Sequence, residues 1–97
     1  MIIELKKFGI TLTSRQAGKE ALSAFAFILK NTSKDEIVIV DFRGVDTFSP
    51  SWGDEFLTPL LLERGNSLKL KNTTNPSVKA TLEILEETNG IKFNIEK

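Results

Sequence analysis

Apolar and polar positions along this chain alternate with two periods, and the changes of period separate strands from helices. Residues Ile2–Lys6 and Gly9–Thr13 are predicted as two short strands that flank a tight turn at Lys7-Phe8-Gly9. They form either a β-hairpin or two offset strands. A helix is then predicted to begin after a cap at Thr13 or Ser14 and to continue to about Lys30.

The predicted first helix has a wide apolar arc. Its inward stripe is expected to contain Ala17, Ala21, Phe25, Ile28 and Leu29. Ala24, Ala26 and Phe27 widen the arc, and we expect additional burial rather than a partner contact to explain them. Gly18 lowers the helix propensity, which indicates close packing against a neighbouring element.

A run of β-branched residues follows, from Ile37 to Val40, inside a predicted strand over residues 36–42. Such a run is typical of a central strand in a parallel sheet that is covered on both faces. A second helix is predicted from about Ser51 to Leu62, with a kink or a loosened turn at Pro59 and an end at Gly65.

The remaining residues predict strand, helix and strand. Leu68 and Leu70 alternate with lysines in a strand over residues 67–71, nearer the sheet edge. Asn75 is predicted to cap a third helix, with Pro76 at its first position, inward-facing Val78, Leu82 and Leu85, and an end at Asn89-Gly90. Alternation at Ile91, Phe93 and Ile95 predicts a final edge strand. The order β-β-α-β-α-β-α-β predicts one α/β domain over residues 1–97, a mostly parallel sheet with helices packed against it.

The amino-acid composition excludes several kinds of functional site. Lys plus Arg and Asp plus Glu number 13 each, so charge indicates neither nucleic acid nor a membrane surface as a partner. Cysteine, histidine and tyrosine do not occur. Disulfides, thiol nucleophiles, imidazole bases and the usual zinc ligands are thereby excluded, and no cofactor is expected. We expect a cytoplasmic protein, because no signal pattern and no membrane-length apolar segment is present.

Two polar loops follow predicted neighbouring strands, Asp41–Asp54 and Asn72–Asn75. Ligands and partners of open α/β sheets meet the carboxyl ends of the strands, so these loops are the expected functional surface. Ser51 lies at a helix amino terminus in either of two frames. It is the cap of a Ser-x-x-Asp capping box with Asp54, or Ser49 is the cap and Pro50 the first helical residue.

The stretch from Val38 to Gly53 resembles the signature of STAS domains, the fold of bacterial anti-sigma-factor antagonists. The strand Val38-Ile39-Val40-Asp41 and the loop Phe48-Ser49-Pro50-Ser51-Trp52-Gly53 correspond to its strand and serine loop. The element order and chain length agree over nearly all of the chain. The likeness is greatest to a STAS-like branch of poorly assigned function, with a Ser-Pro-Ser-Phe/Trp loop followed by Asp-Glu.

This resemblance implies a regulatory partner and a modification. In the antagonists, the serine two positions before the glycine is phosphorylated by a partner kinase of the histidine-kinase-like ATPase fold; here that serine is Ser51. Pro50 and Trp52 replace the aspartate and the second serine of the signature, and Asp54-Glu55 replaces two apolar residues. At roughly 6 Å, each unit charge pair between these acids and a phosphate costs about 0.7 kcal/mol in water and about 3 kcal/mol at an effective dielectric constant of about 20. A phosphate would therefore destabilise this helix end, as in a switch that releases a partner.

Other chemistry is open to the same residues. Asp41, Asp46, Asp54 and Glu55 could gather around Mg²⁺, although surface acids and caps are the favoured interpretation. Ser51 lacks a histidine base for hydrolysis. We therefore expect a non-catalytic regulatory interaction module, with a small-ligand or nucleotide sensor as the alternative. Besides Ser51, the expected binding residues are Ser49, Trp52, Asp54, Glu55, Asn72, Thr73, Thr74 and Asn75.

Overall fold

Strands and helices alternate along the chain in the computed structural model, which describes residues 1–96; Lys97, the last residue of the predicted domain, lies outside them. Two 3₁₀ turns, Leu5–Phe8 and Gly65–Ser67, lie between these elements. The elements are β1 (Ile2–Glu4), β2 (Thr11–Leu12), α1 (Arg15–Lys30), β3 (Val38–Asp41), β4 (Thr47–Phe48), α2 (Pro50–Arg64), β5 (Leu68–Lys71), α3 (Pro76–Asn89) and β6 (Ile95–Glu96).

The main sheet has four strands in the order β1-β3-β5-β6, and each adjacent pair is parallel. This confirms the predicted α/β class, with a mostly parallel sheet and helices packed against it. The interior position of β3 is also as predicted. The placement of β5 nearer the edge was wrong, because β5 pairs with β3 on one side and with β6 on the other.

A second, two-stranded sheet pairs β2 with β4 in parallel. The hairpin alternative for the first two strands was therefore wrong, since β1 and β2 belong to different sheets and a 3₁₀ turn separates them. Strand β4 was not predicted. It is only two residues long and follows a loop, so no alternation of side chains marks it in the sequence.

Only one face of the main sheet is covered. The row Ile3, Val40 and Leu70 is buried under the helices, whereas the row on the opposite face has Ile2 57% exposed and Ile39 and Lys69 half-buried. The prediction that β3 is covered on both faces was therefore wrong. A β-branched run requires burial of one face only, and the polar neighbour Lys69 shares the open face.

Helix α1 buries a narrower stripe than predicted. Gly18, Ala21 and Leu29 are buried, but Ala17, Ala24, Ala26 and Ile28 are exposed and Phe27 is 76% exposed. The expectation of additional burial was wrong, because α1 packs against α2 with one side and its outer residues are exposed in the described part of the chain. The expected close packing at Gly18 is confirmed: a Cβ atom there would lie 2.7 Å from the carbonyl oxygen of Trp52.

Helix α2 is the central helix, lying against both α1 and α3. It continues through Pro59 to Arg64, and Gly65 ends it with a positive φ of 57°. The side chain of Arg64 is buried, and it donates to the carbonyl oxygens of Ser33 (2.7 Å), Leu29 (3.0 Å) and Thr32 (3.2 Å). Arg64 therefore satisfies carbonyl groups at and beyond the end of α1.

Helix α3 follows the prediction closely. Asn75 caps it, Pro76 is its first residue, and Gly90 ends it in the left-handed conformation. Val78, Leu82 and Leu85 are buried as expected. Within residues 1–96, no helix has both the length and the apolar character needed to cross a membrane.

Candidate functional site

The amino terminus of α2 is fixed by Ser49. Its hydroxyl donates to the carbonyl oxygen of Thr13 at 2.7 Å and accepts the backbone N–H of Trp52 at 3.4 Å. Because Ser49 is the cap and Pro50 the first helical residue, the second of the two predicted frames is correct and the capping-box frame for Ser51 is wrong. The cap bond to Thr13 also ties the start of α2 to the segment that precedes α1.

Ser51 therefore lies in the first turn of α2. Its side chain is half-buried, and its hydroxyl makes no hydrogen bond to any of residues 1–96. A helix cap must accept backbone N–H groups, so Ser51 does not act as a cap of α2.

Asp54 and Glu55 follow on the next turn, where Arg15 of α1 neutralises part of their charge. The Arg15 guanidinium lies 2.8 Å from the Glu55 carboxylate and 3.5 Å from that of Asp54. The hydrogen bond that Arg15 donates to Glu55, with a smaller contribution from the one to Asp54, raises the pKa of Arg15 above its ordinary value. Asn89 also donates to Asp54 at 3.2 Å. The predicted repulsion of a phosphate on Ser51 left out this cation, which comes from a distant part of the sequence.

Trp52 is 1% exposed and lies in an aromatic cluster. Its ring is stacked on Phe56 with centroids 5.0 Å apart, and it contacts Phe48 at 5.8 Å and Phe8 at 6.1 Å. The inclusion of Trp52 among the surface binding residues was therefore wrong. Its indole anchors the start of α2 in the core, where aromatic pairs of this geometry stabilise the packing.

Asn75 joins the two polar loops. Its side-chain oxygen accepts the N–H groups of Ser77 and Val78, as a helix cap does. Its amide nitrogen donates to the carbonyl oxygens of Val45 at 2.9 Å and Asp46 at 3.2 Å, across to the loop after β3. The prediction that the two loops are neighbours is confirmed.

A second bridge joins α3 to β4. The Ser77 hydroxyl accepts the N–H of Phe48 at 3.0 Å and contacts its carbonyl oxygen at 3.2 Å, and the Thr81 hydroxyl donates to that same oxygen at 2.6 Å. Both backbone groups of Phe48 are thus satisfied by side chains rather than by a strand. Together with Asn75, these bonds fix β4, and hence Ser49 and the start of α2, relative to α3.

Asp41 and Arg43 form a feature that the sequence did not reveal. Asp41 is 2% exposed, and its carboxylate accepts the Arg43 backbone N–H at 3.0 Å and the guanidinium at 2.9 and 2.7 Å. The hydrogen bond from Arg43 lowers the pKa of Asp41 below its ordinary value, with a smaller contribution from the charge of Lys71. The Asp-x-Arg spacing at the end of a buried strand is the signal that could have identified this hydrogen-bonded ion pair.

A shallow cavity of about 250 Å³ lies between this ion pair and the loop after β5. It is lined by Asp41, Phe42, Arg43, Asn72, Thr73 and Thr74. Asn72 and Thr74 are exposed, whereas Thr73 accepts the N–H of Asn75 and helps to shape the loop. The predicted residues thus fall into two groups, Asn72–Asn75 beside Arg43 and Ser49–Glu55 beside Arg15. The bonds from Asn75 and Ser77 connect them, and we call this whole surface the junction surface.

The acids considered as magnesium ligands do not converge. Asp41 is bound by Arg43, and Asp54 and Glu55 by Arg15. Over residues 1–96 there is no group of three or more acidic side chains placed to hold a metal ion.

Comparison with known proteins gives one assignment. No curated protein and no solved structure matches the chain significantly. Residues 25–78, more than half of the chain, match the family described as "STAS-like domain of unknown function (DUF4325)". The matched segment runs from the second half of α1 to the start of α3 and includes β3, the serine loop and α2. Together with the parallel α/β fold, this match confirms the STAS-like resemblance: the chain belongs to the STAS-like domain family.

Proposed function

We propose that this protein is a non-catalytic regulatory module that binds a partner protein through the junction surface. The observation that carries the proposal is the pair of hydrogen bonds that Asn75 donates to the loop after β3, at 2.9 and 3.2 Å. It holds loops from two strands as one rigid surface in the absence of a partner, so that little ordering is needed on binding. Arg43, Asn72 and Thr74 are exposed there and offer polar contacts.

The resemblance to anti-sigma-factor antagonists suggests the class of partner, a histidine-kinase-like ATPase, and Ser51 as its phosphoacceptor. Two features support this role for Ser51. Its hydroxyl has no hydrogen bond within residues 1–96, and Arg15, which pairs with Asp54 and Glu55, reduces the negative charge that a phosphate would meet. A phosphate on Ser51 would add about −1.5 to −2 charges at this helix end.

The dimensions of the cavity argue against the alternative, a small-ligand or nucleotide sensor. Ligand sites usually enclose about 300–1,000 Å³ and bury most of the ligand. The cavity beside Arg43 has about 250 Å³ and is open to solvent at the loop after β5. A broad protein contact suits this shape better than a small molecule does.

The proposal is tested with a charged, bulky substitution in the middle of the junction surface. Tagged wild-type protein and Thr74→Arg are used to capture partners from cells of the source organism, and the captured protein is purified for binding isotherms. Asn66→Arg is the control, because Asn66 is also an exposed polar residue but lies in the turn after α2, at the end of that helix opposite the junction surface. We expect Thr74→Arg to weaken binding by about tenfold or more, which corresponds to about 1.4 kcal/mol.

Equal affinity of Thr74→Arg and wild type would contradict the proposed surface. Equal loss in Thr74→Arg and Asn66→Arg would contradict it as well, since a general effect of charge would then explain both. Incubation of the captured protein with labelled ATP and wild type or Ser51→Ala tests the phosphorylation separately. Label on Ser51→Ala equal to that on wild type would exclude Ser51 as the acceptor.

A further inference from the structure

The outer sides of α1 and α2 leave an apolar groove at the end of the molecule opposite the junction surface. The groove has a volume of about 430 Å³ and is lined by Leu22, Ala26, Phe27, Leu29, Lys30, Pro59, Leu60 and Glu63. Phe27 on its α1 side is 76% exposed. Leu62, one helical turn after Pro59 on α2, is 72% exposed. These two are the most exposed large apolar side chains of residues 1–96.

The charges at the rim of the groove identify the occupant. Lys30 lies on the α1 side and Glu63 on the α2 side, and neither forms an ion pair within residues 1–96. Each copy thus presents one unpaired cation on one wall and one unpaired anion on the other. A surface of this kind is complementary to itself under two-fold symmetry.

The direction of the two-fold axis follows from the same charges. Helices α1 and α2 run parallel, since Arg15 near the start of α1 meets Glu55 near the start of α2, and Arg64 meets the end of α1. An axis along the groove places α1 of each copy over α2 of the other. Lys30 of each copy then faces the partner's Glu63, so that two ion pairs form. An axis across the helices would place α1 over the partner's α1 and set Lys30 against the partner's Lys30.

The apolar groups fit the same arrangement. With α1 over the partner's α2, Phe27 meets Pro59 and Leu62 of the partner subunit, and a ring that projects from one wall enters the groove of the other copy. We propose that this chain forms a symmetric homodimer through the α1–α2 groove. The junction surface, at the opposite ends of the same helices, stays free in such a dimer.

Oligomeric state tests the proposal directly. Sedimentation velocity and light scattering on wild type are expected to show a concentration-dependent dimer. Phe27→Asp is expected to raise the dissociation constant by at least about tenfold. Because Phe27 is largely exposed, the variant should remain folded, as circular dichroism will show. Ile84→Asp, at an exposed apolar position of α3 away from the groove, is the matched control and should dimerise as wild type does.

A charge exchange tests the geometry. Lys30→Glu alone and Glu63→Lys alone place like charges opposite each other and should both weaken self-association. A mixture of the two variants restores both ion pairs and should form a heterodimer more strongly than either forms a homodimer. A monomeric wild type at about 1 mM would overturn the proposal. So would a dimer that Phe27→Asp leaves intact, or a mixture that associates no better than its components.

Discussion

The two ends of the α1–α2 helix pair are held together by different kinds of contact. At the junction end, the backbones touch: Gly18 lies against the carbonyl group of Trp52, and the short side chain of Ser49 bonds the backbone of Thr13. At the groove end, the two helices border a groove of about 430 Å³, and the long side chain of Arg64 reaches from α2 to the carbonyl groups at the end of α1.

The two kinds of contact differ in how closely they fix the helices and in how large a distance they bridge. Contacts between backbones and short side chains fix a surface closely, because few rotatable bonds lie between the bonded atoms. A guanidinium on a three-carbon stem can join elements that do not touch, but it leaves room beside it. The junction end is therefore suited to present a fixed surface, and the groove end to accept another apolar group.

The largest effect is expected when the hydrogen bonds of Arg64 at the groove end are removed. Arg64→Met should lower the free energy of unfolding by about 2–4 kcal/mol, because three hydrogen bonds from a charged donor are lost. The carbonyl groups of Leu29 and Ser33 keep backbone N–H donors, which limits the loss. Arg64→Lys should lose less, since one ammonium group can still donate. Urea unfolding measures both values. A loss below about 0.5 kcal/mol for Arg64→Met would mean that the groove end is held by something else.

A smaller loss is expected when the closest contact at the junction end is obstructed. Gly18→Ala should lower stability by about 1–3 kcal/mol although alanine favours helix, because the new Cβ meets backbone atoms that cannot move independently. Gly53→Ala is the matched control: its Cβ would meet only side-chain ends, of Leu85 at 2.9 Å and of Phe48 at 3.1 Å, and no backbone atom is among its nearest contacts. Thermal melts that rank Gly53→Ala as the more damaging change would contradict this account.

Lowering the pH should change the stability contribution of Asp41 at the junction end but not that of Arg64 at the groove end. Hydrogen bonding to Arg43 lowers the pKa of Asp41 in the folded protein, so its stabilising contribution is complete above its unfolded value of about 3.9 and is lost as the pH falls through the lower folded value. Asp41→Asn should therefore cost about 1.5 kcal/mol at pH 7 and progressively less below about pH 4. The partners of Arg64 are backbone carbonyl groups, which do not titrate, so the cost of Arg64→Met should not follow this curve. Parallel curves for the two variants would count against the assignment.

The smallest effect concerns the two serines of the α2 start. Ser49→Ala removes the cap and should cost about 1 kcal/mol, whereas Ser51→Ala should change stability by less than about 0.5 kcal/mol. If Ser51 is a switch, Ser51→Asp should lose partner binding while Ser51→Ala retains it. Melts and binding isotherms on the same samples decide this. Equal affinity of wild type, Ser51→Ala and Ser51→Asp would exclude the switch.

The sequence predicted those parts of the fold that depend on local signals. Asn75-Pro76 and Gly90 mark both ends of α3, the run at Ile37–Val40 marks β3, and Gly18 marks a close helix contact. Each of these signals acts through groups only a few residues apart or through the conformational range of one residue.

The parts that the sequence did not predict depend on distant partners. Phe27 has the pattern of a buried residue, but nothing in the pattern says whether a layer covers the outer side of α1. Arg15 and Asp54 are far apart along the chain, so their pairing, which changes the electrostatics around Ser51, could not be inferred from spacing. The same holds for Arg64 and the end of α1, and for the two loops joined by Asn75 only their proximity could be expected.

The hydroxyl groups of Ser77 and Thr81 have a consequence for how other chains can approach. In the β2–β4 sheet, the N–H and carbonyl groups of Phe48 point away from β2, where an unpaired edge strand would offer a template for strand addition and aggregation. Ser77 and Thr81 occupy both groups, at 3.0 and 2.6 Å, so they are not free to pair with an extended peptide on the β4 side of this sheet. A protein that binds beside β4 must therefore recognise side chains and loop shape, and this gives selectivity that backbone pairing alone would lack.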